Sequence, residues 1–248
     1  MSPTEWIALA SIMAGFGSLT WQVRAKRGDD KHAAQLDRLN RQLSDLYGPL
    51  YALYEEGERN WMLFVACFSH DSRPWSERAF LPSAADEFPP PSMDSMVEYR
   101  RRMKQLFMPT NIKMESLIIG HADLIVGTRM PNEFSDFIAH VAAAKLLMHR
   151  WTDATFGPNL WEQHRVEYPH PPALKHRIRG SFEVLKSTQQ ELLTGALESV
   201  DEAGLERRIK VRMDELAKQW DSNGPSYSDK LNAARAETVP FPAGERAK

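Results

Sequence analysis

The sequence predicts an all-α protein, with a single N-terminal transmembrane helix followed by an antiparallel helical bundle. Residues 6–23 carry no formal charge, which is typical of a membrane-spanning segment. Beyond them, apolar side chains recur at steps of three and four residues, and no stretch of useful length alternates as a strand would. Short links between the periodic segments favour antiparallel packing of neighbouring helices.

The composition is that of an ordinary folded protein. The chain has 248 residues, of which 42% are hydrophobic and 26% charged, and its net charge is -2. This charge supplies no overall positive field, so we expect no nucleic-acid partner. Cys67 is the single cysteine, which excludes an internal disulfide framework and suits a reducing compartment. Its apolar neighbours indicate a small core residue rather than a nucleophile.

Residues 6–23 are predicted to cross a membrane once. Trp6 and Trp21 lie at the two ends of this run, where indole rings prefer the headgroup layer. Three basic residues follow it: Arg24, Lys26 and Arg27. Because basic residues stay on the cytoplasmic side, residues 1–5 are expected outside and the bulk of the chain in the cytoplasm. Membrane lipid is therefore the first expected partner.

Other interpretations of this segment are weaker. A cleaved signal peptide would carry its basic residues before the apolar run, and an interfacial helix would have a charged face. A buried soluble helix is the remaining alternative, because Ala, Gly and Ser make the run only mildly hydrophobic. Small residues recur at every fourth position and would let two helices approach closely, although such residues are also common in membrane helices. They are Ala10, Ala14 and Ser18.

A leucine seam follows the membrane segment. Its members are Leu36, Leu39, Leu43, Leu46, Leu50 and Leu53, and the first four are the predicted helix–helix contacts. Gly48-Pro49 interrupts the seam, and the missing proline N–H predicts a kink or break near Tyr47. We therefore predict a juxtamembrane helix over 24–47, able to act as a stalk, and a cytoplasmic bundle over 48–220. The seam has too few unbroken heptads for a coiled coil, which favours packing inside its own bundle over a zipper with a partner.

The first bundle helices are predicted from their start and stop signals. Ser95-x-x-Glu98 matches a capping box and opens a helix that reaches Phe107. Pro109 is expected to force a new start, and the next helix is expected to reach Val126 before Gly127 ends it.

The later helices show the clearest periodicity. Pro131 precedes a helix over 132–151 whose apolar face carries Phe134, Phe137, Val141, Ala144, Met148 and Trp151. A helix from Leu174 to Leu192 follows, and Ser199-x-x-Glu202 caps the last one, which ends near Trp220. Two proline-rich connections, 71–91 and 152–172, separate these elements. Residues 221–248 lack apolar periodicity and are predicted to be a disordered tail.

The sequence contains no motif for a catalytic residue or a cofactor, and only a weak candidate for a metal site. Glu133, Asp136 and His140 are spaced three and four residues apart and share one helical face. Carboxylate and imidazole groups so placed could begin a metal site. However, the helix dipole also favours carboxylates in the first turns, and no matching Glu-x-x-His lies on another helix. We therefore expect no bound metal.

Two further features have structural interpretations. His121 shares a predicted face with Met114 and Ile118, which indicates a histidine at the edge of the core. The basic run contains Arg100, Arg101, Arg102 and Lys104. It could contact anionic lipid, but a solvated helix face is the favoured interpretation.

Several short motifs resemble a pattern found in uncharacterised, largely bacterial, membrane-anchored helical proteins. They are Leu46-Tyr-Gly-Pro-Leu50, Phe107-Met-Pro with Asn111, His121-Ala-Asp-Leu124, His140-Val141 with Arg150-Trp151, and Phe182 through Leu185-Lys186 to Gln189. The resemblance covers residues 40–195 and implies a helical domain, without an activity. The favoured function is thus a membrane-anchored interaction or scaffold module that binds another protein or itself. The alternative is a membrane-tethered enzyme or ligand binder that uses His121, His140 and neighbouring carboxylates.

Overall fold

The computed structural model describes residue 26 and residues 30–68, 93–152 and 170–223, and these ranges are helical apart from short turns. The all-α prediction is therefore confirmed for the described chain. The predicted membrane segment, with the small-residue stripe and the anchor residues Trp6, Trp21, Arg24 and Arg27, lies outside these ranges. No helix within them is both long and apolar enough to cross a membrane.

The first helix, α1, extends from residue 30 to Phe68. It consists of an α-helix over 30–41, a π-turn over Gln42–Tyr47 and an α-helix over Gly48–Phe68. The N–H of Gly48 donates to the carbonyl of Leu43, five residues back. The next residue, Pro49, has no N–H to donate, and its ring needs room against the preceding turn, which the wider π-turn provides. The expected kink or break near Tyr47 thus takes the form of a widened turn, and the helix does not end there.

The second helix, α2, repeats this arrangement. It consists of Met93–Arg102, a π-turn over Met103–Phe107 and Met108–Gly120. The N–H of Met108 donates to the carbonyl of Met103, directly before Pro109. The predicted new start at Pro109 is therefore wrong, because the π-turn accommodates the proline ring.

The ends of α2 also differ from the prediction. Ser95 lies inside the helix rather than at its N-cap, since the helix already includes Met93. At the other end, α2 stops at Gly120, and His121 leaves the helical conformation with a φ of -121°. A short 3-10 turn, Ala122–Leu124, follows. The helix therefore does not reach Val126.

The remaining helices are α3 (Asn132–Arg150), α4 (Leu174–Leu193) and α5 (Glu202–Asn223). Pro131 precedes α3, as predicted. At the start of α5, the carboxylate of Asp201 accepts a hydrogen bond from the N–H of Gly204 at 2.6 Å. Asp201 is thus the capping side chain, and the predicted cap at Ser199 is wrong. Because α5 reaches Asn223, it includes the first residues of the predicted tail; the rest of that tail lies outside the described residues.

Side-chain contacts give the directions of the helices. In each cross-helix pair the residue number on α1 rises as the number on its partner falls, so α1 runs antiparallel to both α2 and α4. The pairs are Trp61 with Phe107, Phe64 with Tyr99, Asn40 with Gln189, Tyr51 with Phe182, and Glu58 with Lys175. The ion pairs Glu191–Arg208 and Glu183–Arg212 place α5 antiparallel to α4 in the same way.

The leucine seam packs inside the bundle. Leu39, Leu46 and Leu50 are buried, and the other three members, Leu36, Leu43 and Leu53, pack against the same core. The expectation that the seam packs in its own bundle is confirmed. The helix before residue 48 therefore packs in the bundle rather than forming a stalk, and core packing begins at Leu36, 12 residues before the predicted boundary.

Candidate functional site

The strongest candidate site is a group of polar side chains, some buried and some partly exposed, around the backbone of residues 124–127 in the connection between α2 and α3. We call it the polar cluster. Its members are Arg38, Gln42, Tyr47, Arg177 and Glu202, contributed by α1, α4 and α5.

Two members come from the π-turn of α1. The side-chain amide of Gln42 donates to the carbonyl of Leu124 at 3.0 Å, and the phenol oxygen of Tyr47 accepts from the N–H of Val126 at 3.1 Å. Both side chains are 0% exposed. In a π-turn residue i lies next to residue i+5, so the wider turn directs Gln42 and Tyr47 toward the same stretch of backbone. The π-turn that accommodates Pro49 thus also builds one side of the cluster.

The other members come from the arm of α1 before the π-turn and from α4 and α5. Arg177 donates to the carbonyl of Val126 at 3.4 Å, and the N–H of Gly127 donates to the carboxylate of Glu202 at 3.2 Å. Glu202 also accepts from Arg38 at 2.6 Å. Side chains from three helices therefore satisfy the backbone polar groups of a connection that is too deeply packed to be fully solvated.

Burial sets the electrostatics of the cluster. It raises the pKa of the Tyr47 phenol, and the Val126 N–H and the Arg177 guanidinium act in the opposite direction. The Ser181 hydroxyl is close enough to lower the pKa of Tyr47 but lacks the geometry of a hydrogen bond. Tyr47 is therefore a neutral phenol at physiological pH, suited to accept the Val126 N–H and not to act as a base.

The cluster borders a cleft between α1 and the start of α5. The cleft has a volume of about 460 Å³ and is lined by Gln35, Arg38, Leu39, Gln42, Val200, Asp201, Glu202 and Leu205. The Gln35 amide donates to the Val200 carbonyl at 3.1 Å, and Asp201 caps α5. The side-chain oxygens of Gln35 and Gln42 are buried and accept no hydrogen bond from the described residues. The arrangement holds backbone in place and pairs no nucleophile with a base.

The residues proposed as a weak metal site do not converge. Among the residues that the structure describes, no three His, Cys, Asp or Glu side chains are placed to hold a metal ion. Glu133 lies half-buried in the first turn of α3. His140 is buried, and its ring packs against Phe137 and His170, with centroids 6.4 and 5.2 Å away. The histidine that meets His140 is therefore His170, whereas His121 lies at the end of α2.

The basic run near the start of α2 is engaged within the protein. Arg101 and Arg102 both pair with Glu98, at 2.5 and 2.6 Å. These guanidinium groups lower the pKa of Glu98 to about 2, although its partial burial opposes them. The Arg100 guanidinium lies 5.5 Å from the centre of the Trp151 ring, a cation–π distance. Much of the positive charge of the run is thus paired on its own helix or placed on an aromatic ring.

Sequence reasoning missed the polar cluster. Its members are spread over the whole described chain. Tyr47 lies in the Leu46-Tyr-Gly-Pro-Leu50 motif and Glu202 in the predicted capping box, but neither motif indicates a contact with residues 124–127. One local signal was available: Gln42 adjoins Leu43 of the seam, and Arg177 adjoins Ile178 of the apolar stripe on α4. A long polar side chain beside an apolar stripe is usually solvated, so only the packing shows that both are buried, at 0% and 6% exposure.

No protein-family model, curated protein or solved structure matches the chain. The resemblance to membrane-anchored helical proteins therefore stays a prediction.

Replacing Tyr47 with Phe tests the polar cluster. The variant keeps the ring but removes the acceptor of the Val126 N–H, leaving a buried donor without a partner, which costs about 1–3 kcal/mol of unfolding free energy. Chemical denaturation of the purified full-length chain measures this loss. Tyr51→Phe is the matched control, because Tyr51 is only half-buried and its ring stacks on Phe182 without needing the hydroxyl. Equal losses in the two variants would contradict the importance of the Tyr47 contact.

Proposed function

We propose that this chain is a single-pass membrane protein whose cytoplasmic helical bundle binds another protein or a second copy of itself. The observation that carries the proposal is the uncharged run 6–23, bounded by Trp6 and Trp21 and followed directly by basic residues. A run of this length and polarity favours the hydrocarbon core over water, and the basic residues after it favour a cytoplasmic bundle.

The start of α1 supports a location close to the membrane. Only residues 24–29 separate the proposed anchor from the start of the packed helix at residue 30, and six extended residues span at most about 20 Å. From there α1 is held by residues at the start of α5: Gln35 binds the carbonyl of Val200, just before α5, and Arg38 pairs with Glu202, its first residue. The bundle would thus stand beside the bilayer in a restricted orientation. This suits a scaffold, whose binding surface must face a partner.

The use of the polar side chains favours binding over catalysis. In the described part of the chain, the buried side chains of Gln42, Tyr47 and Arg177 bind the backbone of 124–127, which is a structural role. The alternative enzyme would use His121, His140 and neighbouring carboxylates. It loses support because His140 packs against Phe137 and His170.

Three substitutions in the full-length chain test the anchor and the partner together. Wild-type protein is expected in the membrane pellet of lysed cells, resistant to alkaline carbonate. Ala14→Arg places a charge at the centre of the run at a cost of about 2.5–3.5 kcal/mol, so the protein should shift to the supernatant. Ala33→Arg, on an exposed position of α1, is the control and should pellet like wild type.

Ala14→Ile should keep the protein in the membrane but weaken detergent-stable oligomers, because it fills the small-residue stripe.

Each outcome decides a separate part of the proposal. Wild-type protein that stays in the supernatant without detergent overturns the anchor and, with it, the cytoplasmic topology. Anchored protein whose oligomers are the same in the Ala14→Ile variant removes self-association through the stripe and leaves a different protein as the partner.

A further inference from the structure

The segment that leads into α4 is attached to the bundle through an aromatic box. His170 lies four residues before Leu174, and its ring packs against Tyr54 of α1 at a centroid distance of 6.3 Å. It also packs against Phe137 and His140 of α3, at 5.8 and 5.2 Å. The two imidazoles meet edge to face, with 79° between their planes. We call His140 and His170 the imidazole pair.

This position is unfavourable for a positive charge. Dehydration of the ring lowers the pKa of His170 to about 3, the neighbouring His140 acts in the same direction, and a hydrogen bond with the Pro171 backbone opposes both. The titratable side chains whose rings contact His170 from the described helices are Tyr54 on α1 and His140 on α3. Neither carries a negative charge at neutral pH that could stabilise an imidazolium. His170 as a whole residue is nevertheless exposed, so the dehydration concerns the faces of its ring that pack against Tyr54, Phe137 and His140. Solvent protons therefore reach the ring, and protonation would place a positive charge against the three rings that pack on it.

We propose that the imidazole pair is an acid-sensitive clasp, which fastens the start of α4 to α1 and α3 while His170 is neutral and loosens when His170 takes up a proton. The proposal rests on the contacts of the ring with three neighbours on two helices and does not depend on the membrane anchor.

The direction of the effect follows from proton linkage. A histidine released into water has an ordinary pKa of 6.5, above that of the clasped ring. Between the two pKa values the released state binds more protons than the clasped state. The contribution of the clasp to stability is therefore fully present above pH 6.5, and it decreases as the solution is acidified below that pH. The first turns of α4 would loosen first. They carry Lys175, which pairs with Glu58 of α1 only five residues after His170.

Hydrogen exchange of the full-length chain at pH 7.5 and pH 5.5 tests the clasp. After correction for intrinsic exchange rates, the amides in the first two turns of α4 should open about three- to tenfold more often at pH 5.5. His170→Phe keeps an aromatic ring in the box but cannot titrate, so this pH dependence should disappear. His149→Phe is the matched control: His149 is exposed on α3, and its replacement should leave the dependence intact.

Several results overturn the proposal. Equal opening at both pH values does so, as does greater protection at pH 5.5, which would mean that the aromatic rings hold the imidazolium. A pH dependence that survives in His170→Phe or disappears in His149→Phe has the same consequence.

A measurement on the wild-type protein tests the clasp even if the His170→Phe variant fails to fold. The imidazole of His170, followed by nuclear magnetic resonance, should titrate with a midpoint below its ordinary value of 6.5; a midpoint at or above 6.5 overturns the clasp.

Discussion

Phe137→Ala is expected to cost about 3–5 kcal/mol of unfolding free energy, the largest loss among the substitutions considered. The Phe137 side chain is 0% exposed in the second turn of α3 and belongs to the same core as Phe134, Val141 and Ala144. Its removal loses the free energy gained when the ring is transferred from water to the core. It also leaves a cavity that the surrounding helices fill only partly. Since small proteins have only about 5–15 kcal/mol of net stability, the variant should be close to unfolding at physiological temperature.

Chemical denaturation of the purified full-length chain, followed by circular dichroism, measures the Phe137 effect. Leu146→Ala on the same helix is the matched control, because Leu146 is 61% exposed and its truncation should change the free energy by less than about 0.5 kcal/mol. The core would lie elsewhere if the two variants unfolded at the same denaturant concentration.

The helix α3 shows what local sequence rules predict well. Pro131 marks its start, and a continuous apolar stripe marks its length, so the predicted range of 132–151 is within one residue of the observed Asn132–Arg150. Both signals act within a few residues of the chain and do not depend on what the helix packs against. The same is true of the leucine seam, whose regular spacing predicted its packing in the core.

The end of α2 shows where such rules fail. Ile125 and Val126 extend the apolar stripe, so periodicity predicts helix to Val126, whereas α2 ends at Gly120. Both residues are buried, but in a connection whose backbone is bonded by the side chains of Gln42 and Tyr47 on α1. An apolar pattern indicates that a side chain is buried, but it does not indicate which groups form hydrogen bonds with the backbone of that residue. The polar cluster was therefore beyond sequence reasoning, since it depends on partners about 80 residues apart.

The predicted interruptions of the helices at Pro49 and Pro109 are only partly correct. Loss of the N–H at Pro49 and Pro109 does disturb each helix, but each continues through a π-turn instead of breaking. One extra residue in the turn creates room for the ring, and in α1 it also aligns the side chains that hold 124–127. A π-turn within an otherwise regular helix is often found at functional positions, and here it serves the polar cluster.

Gly48→Ala is expected to destabilise the protein because of this turn. A Cβ atom at residue 48 would lie 2.5 Å from the carbonyl oxygen of Leu43, which already accepts the N–H of Gly48. This neighbour is backbone and cannot rotate away, so the turn must shift, at a cost of about 1–3 kcal/mol. In an ordinary helix the same change is favourable by about 0.5–1 kcal/mol, because alanine loses less conformational entropy than glycine.

Gly120→Ala supplies the matched control for Gly48. A Cβ at residue 120 would meet no atom within 4 Å, and the residue closes α2 with a helical backbone. This variant should be neutral or slightly more stable, so the two alanine variants should differ by about 1–4 kcal/mol in unfolding free energy. Chemical denaturation measures the difference. A Gly48→Ala protein as stable as Gly120→Ala would mean that the helix passes Pro49 without the close approach of Leu43. The alignment of Gln42 and Tyr47 would then need another cause.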